Sequence, residues 1–313
     1  MRILANDGLE GSAISKLEAA GHVVSVVHIP ADELLNTINE FDVLTVRSAT
    51  KVRKNLIDNI NNTKLIIRAG VGMDNIDVSY ALEKGIAVRN TPLASSLSVA
   101  ELTIAHLFGC VRFLPQSNRQ MPIEGTTSFK KLKEIFSKGS ELKGKTLGII
   151  GFGNIAIETA KIALGLGMNV VAYNRTPKKV DLQLSLGNNI MAQTRIQTIS
   201  KEQVLECSDF ICIHSSGSEK VLFNEDYEQM KAGVGIINCA RGGVIDEAEL
   251  LTHLNSGKIS FAGIDVFEEE PTNNLELLSH PKVSLTPHIG ASTIEAQKRV
   301  GDEVADIILN FSI

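Results

Sequence analysis

The chain has 313 residues, 43% hydrophobic and 21% charged, the balance of an ordinary globular protein long enough for two domains. A formal net charge of −5 without a basic run argues against a general nucleic-acid binder, and 4% aromatics with no Trp argue against a single-strand stacking platform. No run approaches ~18 apolar residues and the N-terminus lacks a signal-peptide core, so neither membrane insertion nor secretion is expected. Cys110, Cys207, Cys212 and Cys239 lack C-x-x-C spacing and read as reduced thiols of a cytoplasmic protein, with no metal site expected.

Residues 1 to about 95 alternate strand-like and helix-like stretches. Arg2–Ala5, Val23–Val27, Val43–Val46, Leu65–Arg68 and Ala87–Arg89 read as strands, with helices over Ser12–Ala20 and Val52–Asn59. That order predicts an α/β domain with a doubly wound parallel sheet. Polar loops follow two of its strands: Arg47-Ser48-Ala49-Thr50-Lys51, and Arg68-Ala69-Gly70-Val71-Gly72-Met73-Asp74. Open sheets bind ligands at such strand ends, and cations beside glycine-exposed amides suit an anion. Each loop alone is as readily structural.

Asn90-Thr91-Pro92 breaks the pattern, and Ser96–Val111 is a long apolar helix of the kind buried between domains or in a dimer contact. Glu101 and His106 on it read as structural. Pro115, Pro122 and Gly125 mark an irregular arm, and Phe129–Gly144 a Lys-rich turn.

Thr146–Arg175 organises the rest. A buried-strand run, Leu147–Ile150, is followed by Gly151-Phe152-Gly153-Asn154-Ile155-Ala156, a helix from Ile155 to Leu166, and a second strand, Val170–Tyr173. In this βαβ unit Gly151 allows the tight turn, Gly153 admits a pyrophosphate to the backbone, and Ala156 keeps the helix near the sheet. The helix N-terminus favours the anion. Beyond the second strand, where an acidic residue usually holds the NAD ribose, stand Asn174-Arg175-Thr176 with Lys178 and Lys179. That substitution leans towards NADP; the alternative is a solvated turn with NAD held through other contacts.

Further strands are expected over Ser208–Ser215, Gly235–Ala240, Phe261–Phe267 and Val283–Leu285, with helices over Glu247–Asn255 and residues 293–311. Arg241, Glu270 and His288 each follow one of these strands. An arginine can grip a carboxylate bidentately, a histidine can exchange a hydroxyl proton, and a carboxylate can orient that imidazole. Singly, each is as readily a salt bridge or a satisfied loop residue. Cys239, beside Arg241, either lines the cofactor pocket or packs in the core.

Several motifs together identify a family. Val46-Arg47-Ser48-Ala49-Thr50-Lys51-Val52, Arg68–Asp77, Asn90-Thr91-Pro92 and the glycine motif are joined by Asn238–Gly243, Asp265–Pro271 and Thr286–Thr293. Along essentially its whole length the chain resembles the D-isomer-specific 2-hydroxyacid dehydrogenases, and looks most like members that oxidise D-3-phosphoglycerate at the opening of serine biosynthesis. The resemblance implies two Rossmann-like domains. Residues 1–95 and 291–313 would bind substrate, and 96–290 would bind NAD or NADP, with a dimerisation helix and arm at about 96–140. Arg241 would bind the substrate carboxylate, His288 would act as acid/base, and Glu270 would pair with it. The cofactor would meet Gly151, Gly153, Asn154, Ile155, Asn174, Arg175, His214, Ser215, Cys239, Ala240, Asp265 and Gly290. A phosphorylated 2-hydroxy or 2-keto acid would meet Arg47, Ser48, Lys51, Ala69, Gly70, Val71 and Gly72. A glyoxylate or hydroxypyruvate reductase, or a non-catalytic dinucleotide sensor, are the alternatives. The chain departs from the family's pattern at Asn174-Arg175 and at Ser215-Ser216, where a proline is common. It also ends at Ile313, so serine feedback through a C-terminal regulatory domain is not expected.

Overall fold

A computed structural model describes residues 1–312. It divides into two compact units, Met1–Ser96 with the chain from Ala291 onward, and Leu97–Gly290.

The first unit alternates β1 (Arg2–Ala5), α1 (Gly11–Ala19), β2 (Val23–Ser25), α2 (Ala31–Thr37), β3 (Val43–Val46), α3 (Lys54–Asp58), β4 (Leu65–Arg68), α4 (Val78–Glu83) and β5 (Ala87–Asn90). The strands form one sheet in the order β2-β1-β3-β4-β5, every pair parallel. Ile3, Leu4, Val43, Leu44, Ile66 and Ile67 are fully buried, as expected of strands covered on both faces, which read as continuous apolar runs. β2 stops at Ser25 rather than Val27, leaving Val26 and Val27 exposed. The helix expected from Val52 begins instead at Lys54. Val52 is claimed by a parallel bridge to Ile76, through Val52 N–H to Asn75 O and Asp77 N–H to Val52 O.

The second unit opens with α5 (Ser96–Val111), α6 (Leu114–Glu124) and α7 (Phe129–Ile135). The irregular arm expected here is therefore mostly helical. Pro115 sits in the first turn of α6, where a missing N–H costs nothing, and Pro122 falls in its last turn. The break between α5 and α6 is Phe113, at φ +56°.

Next come β6 (Thr146–Ile150), α8 (Asn154–Gly165), β7 (Asn169–Tyr173), β8 (Lys179–Ser185), β9 (Met191–Gln197), α9 (Lys201–Cys207), β10 (Phe210–Ile213), α10 (Asn224–Gln229), β11 (Val234–Asn238), α11 (Glu247–Ser256), β12 (Ile259–Ile264), α12 (Leu275–Ser279) and β13 (Val283–Leu285). Six strands pair in parallel in the order β13-β12-β11-β10-β6-β7. The hairpin β8–β9 had no counterpart in the expected elements. Its inward residues Leu182, Leu184 and Ile196 join the core cluster around α8. The chain returns to the first unit in α13 (Ile294–Leu309), whose buried Val300, Val304, Ala305 and Ile308 share a core with Ala13 and Leu17 of α1. α1 and α13 approach so closely that a Cβ on Gly301 would lie 2.9 Å from Cβ of Glu10. Among the described residues, no single helix is long and apolar enough to cross a membrane.

Candidate active site

The carboxyl edge of the six-stranded sheet gathers the polar residues of the second unit. Gly151 directly follows β6 at φ +89°, and a Cβ there would lie 2.7 Å from the His214 carbonyl carbon and the Ser215 nitrogen just after β10. Only glycine makes that turn. A Cβ on Gly153 would meet nothing within 4 Å, so the space over the start of α8 is open. Gly153 caps α8 without a side-chain hydrogen bond, leaving its first amides and the helix dipole for an anion. Asn154 and Ile155 form the first turn.

Beside this cradle His214 is buried. Its Nε2 lies 2.9 Å from Thr159 Oγ1, and that hydroxyl donates to Ile155 O. Nε2 therefore carries the proton and donates to Thr159, leaving Nδ1 a bare acceptor without a partner. Burial holds this imidazole neutral by lowering its pKa to about 3. Ser215 Oγ is likewise shut from solvent without a partner. Two orphaned polar groups beside an open glycine turn fit a bound dinucleotide, which would bring donors and acceptors of its own.

Asn174 ends β7. Its Oδ1 accepts from Phe152 N–H inside the glycine motif, and its Nδ2 donates to Thr176 O. The carboxamide thus occupies the place of the usual carboxylate without its charge. Lys178 donates from Nζ to Phe152 O at 3.1 Å, while Arg175 is exposed on the turn. Lys178, rather than Lys179 in β8, is the lysine fastened to the glycine motif.

Arg241, Glu270 and His288 follow β11, β12 and β13, three neighbouring strands. The Arg241 turn is fixed by Asn238, whose Nδ2 donates to Arg241 O and whose Oδ1 accepts from Ala240 N–H. A Cβ on Gly242 would fall 1.6 Å from Phe267 O, so the two loops pack backbone to backbone. Arg241 Nη1 donates to Ala240 O. Glu270 accepts from Phe267 N–H at Oε1, and its Oε2 lies 2.7 Å from His288 Nδ1. With Nδ1 held there, Nε2 is the ring atom left to trade a proton. Cys239 packs in the core, and burial raises its thiol pKa to about 12.

His288 adopts φ +53°, rare for a residue with a side chain. Asp265 holds it there. Its main-chain oxygen accepts from His288 N–H, Oδ1 accepts from Ile289 N–H and Thr286 Oγ1, and Oδ2 accepts from Gly290 N–H. At 1% exposure the Asp265 carboxylate is engaged inside the protein. The network reaches α5: His106 Nε2 lies 2.9 Å from Thr286 Oγ1, and its Nδ1 2.9 Å from Ser284 Oγ. Thr286 gives its one hydroxyl proton to Asp265, so His106 must donate from Nε2. Burial lowers the His106 pKa. The sequence offered no signal for this link, because helix and loop lie far apart in the chain.

In the first unit, Asp7 organises the loop after β3. Its carboxylate accepts from Arg47 N–H, Thr50 N–H and Thr50 Oγ1. Asn75 Nδ2 donates to Arg47 O and Thr50 O from the other side. Arg47, Ser48 and Lys51 are exposed. A cleft of about 290 Å³ is lined by Asp7, Arg47, Ala69 and, from α13, Gln297. Val71 and Gly72 are half-buried beside it in sequence, and Gly70 is at φ +146°. The Arg68 guanidinium fills the space a Cβ on Gly70 would need, and its Nη1 donates to Ala69 O. Asp7, Asn75 and Gln297, which hold the Arg47 loop or line this cleft, had no sequence signal, whereas Arg68 was read only as part of its loop and not as a substrate contact.

Residues 104–290 match the family model for the NAD-binding domain of D-isomer-specific 2-hydroxyacid dehydrogenases. The chain is 44% identical over 314 residues to a hydroxypyruvate reductase of Thermotoga maritima, covering 98% of this chain and 97% of the relative. It is 42% identical over 312 residues to a D-3-phosphoglycerate dehydrogenase of Methanocaldococcus jannaschii, covering 98% of this chain but 57% of that longer relative. Among solved structures, an NADPH-dependent glyoxylate/hydroxypyruvate reductase from Sinorhizobium meliloti superposes with a TM-score of 0.82 at 27% identity, covering 98% of this chain and 93% of the other.

Proposed function

The chain belongs to the D-isomer-specific 2-hydroxyacid dehydrogenases, oxidoreductases acting on a CH–OH group with a nicotinamide dinucleotide, and within that family we propose that it interconverts D-3-phosphoglycerate and 3-phosphohydroxypyruvate. Arg241 grips the substrate carboxylate. His288, oriented through Nδ1 by Glu270, moves the hydroxyl proton at Nε2. The nicotinamide, when bound, supplies or accepts the hydride. Asn174, Arg175 and Lys178 leave no carboxylate to repel a 2′-phosphate and favour NADP(H).

The observation that carries the choice of substrate is the Arg47 loop. Asp7 and Asn75 hold its backbone while Arg47 lines the cleft and Lys51 stays exposed. Two cations on a pre-formed loop suit a phosphate more than a bare hydroxymethyl group. Arg47→Ala should raise KM for 3-phosphohydroxypyruvate about tenfold to a hundredfold, the cost of one charge-assisted contact, with little change for hydroxypyruvate. Equal effects on both substrates would remove Arg47 as the phosphate reader. A second reading, reduction of unphosphorylated hydroxypyruvate, is favoured by the end-to-end match to the Thermotoga relative.

The exposed apolar side chains of α5 to α7, including Phe108, Leu114, Ile123 and Phe129, support a homodimer built on this arm. A monomer by sedimentation equilibrium would contradict it.

A further inference from the structure

The amino-terminal pole of the six-stranded sheet, opposite the edge that bears Arg241, Glu270 and His288, holds a cavity of about 370 Å³. Its walls come from the starts of β6, β10, β11, β12 and β13, from the end of α5 and from the start of α6. The floor is apolar. Phe210 and Phe261 stack with ring centroids 5.9 Å apart, beside Val111, Phe113 and Val234.

The rim is cationic. Lys138, Lys145, Lys231 and Lys282 line it, against a single carboxylate, Asp209. Asp209 is already engaged: it accepts from Thr146 N–H and pairs with Lys231 at 2.9 Å. Lys282 donates to Leu254 O, which fixes its stem and leaves its charge uncancelled. Lys138 makes no hydrogen bond or ion pair among the described residues, and Lys145 is exposed. Lys231 and Lys282 are tethered at the rim, Lys138 and Lys145 line it beside them, and with one carboxylate against four lysines the rim is net positive and suits an anion. The cavity also falls within the size range of small-molecule sites, at its lower end, ~300–1,000 Å³.

We propose that this cavity is a second binding site, for a small organic anion with at least two negative charges on an apolar, ring-sized body. The dicationic edge made by Lys138 and Lys145 takes the charged end, and the Phe210–Phe261 floor takes the body. The cavity shares no lining residue with the dinucleotide cradle or with Arg241, Glu270 and His288, so it is separate from the site proposed for cofactor and substrate.

The probe is phenyl phosphate, titrated calorimetrically into the full-length protein with NADPH and NADH saturating, so that the dinucleotide cradle is filled. One site is expected, at least about tenfold tighter than for inorganic phosphate, which lacks the ring, or for phenol, which lacks the charge. Lys138→Met with Lys145→Met should weaken phenyl phosphate about tenfold or more and leave turnover unchanged. Ser260→Leu, which fills the cavity without altering charge, should likewise weaken phenyl phosphate about tenfold or more. No binding to the wild type, as when a partner copy covers the cavity, overturns the proposal. So does binding that survives both variants, which would assign the ester to the Arg47 cleft.

Discussion

Nδ1 of His288 lies 2.7 Å from Oε2 of Glu270, while the other Glu270 oxygen is anchored by the Phe267 amide. The carboxylate is thus a fixed strut between the backbone after β12 and the imidazole after β13. It decides which ring nitrogen faces outward. His288→Ala should slow hydride transfer by about 10²–10⁴-fold with NADPH affinity kept, measured by single-turnover absorbance and by NADPH fluorescence titration. Glu270→Gln should cost less, since its amide still touches Nδ1. Wild-type rates for His288→Ala would remove the histidine from the chemistry.

The second link in this geometry is the chain His106–Thr286–Asp265. Thr286→Val leaves a buried carboxylate one donor short, a loss worth about 1–3 kcal/mol of stability. It also loosens the turn that keeps His288 at its strained φ. Turnover should fall while the KM for NADPH holds, and Thr286→Ser should restore both stability and rate. A serine variant as slow as the valine one would argue that packing, not the hydroxyl, matters.

His214 and His106 make the second unit acid-sensitive. Burial lowers both pKa values, that of His214 to about 3. The unfolded chain takes up protons below its ordinary histidine value of about 6.5, whereas the folded chain does not. Stability is therefore complete above that pH and falls as pH drops below it, by about 1.4 kcal/mol per unit for each histidine that stays neutral when folded. Urea midpoints between about pH 7 and pH 4.5 should show this slope, and His214→Gln should flatten it. An identical slope in the variant would show that His214 does not carry it.

The parts of the molecule legible in the sequence are those written locally. Leu147–Ile150 and Gly151–Ala156 fix a strand, a turn and a helix start within ten residues, and the structure keeps them in that order. The α/β class follows from the same local alternation. The hairpin was legible in principle, since Val180, Leu182 and Leu184 alternate with polar residues. The arm was misread because Pro115 and Pro122 suggest breaks, although Pro115 occupies a first turn that tolerates it and Pro122, inside α6, forgoes one helix hydrogen bond just before the helix ends. What could not be read are the long-range tasks of Asp7, Asn75, His106 and Asp265. Each holds a loop that only the fold brings within reach.

The proposed selection of a phosphorylated substrate rests on the Arg47 loop. Its most direct test is the ratio of kcat/KM for 3-phosphohydroxypyruvate to that for hydroxypyruvate, measured with NADPH and again with NADH. One charge-assisted phosphate contact predicts a ratio of about 10 or more, with NADPH the better cofactor. A ratio at or below about 1 would show that the Arg47 loop contributes nothing to phosphate selection, and would move the assignment to hydroxypyruvate reduction.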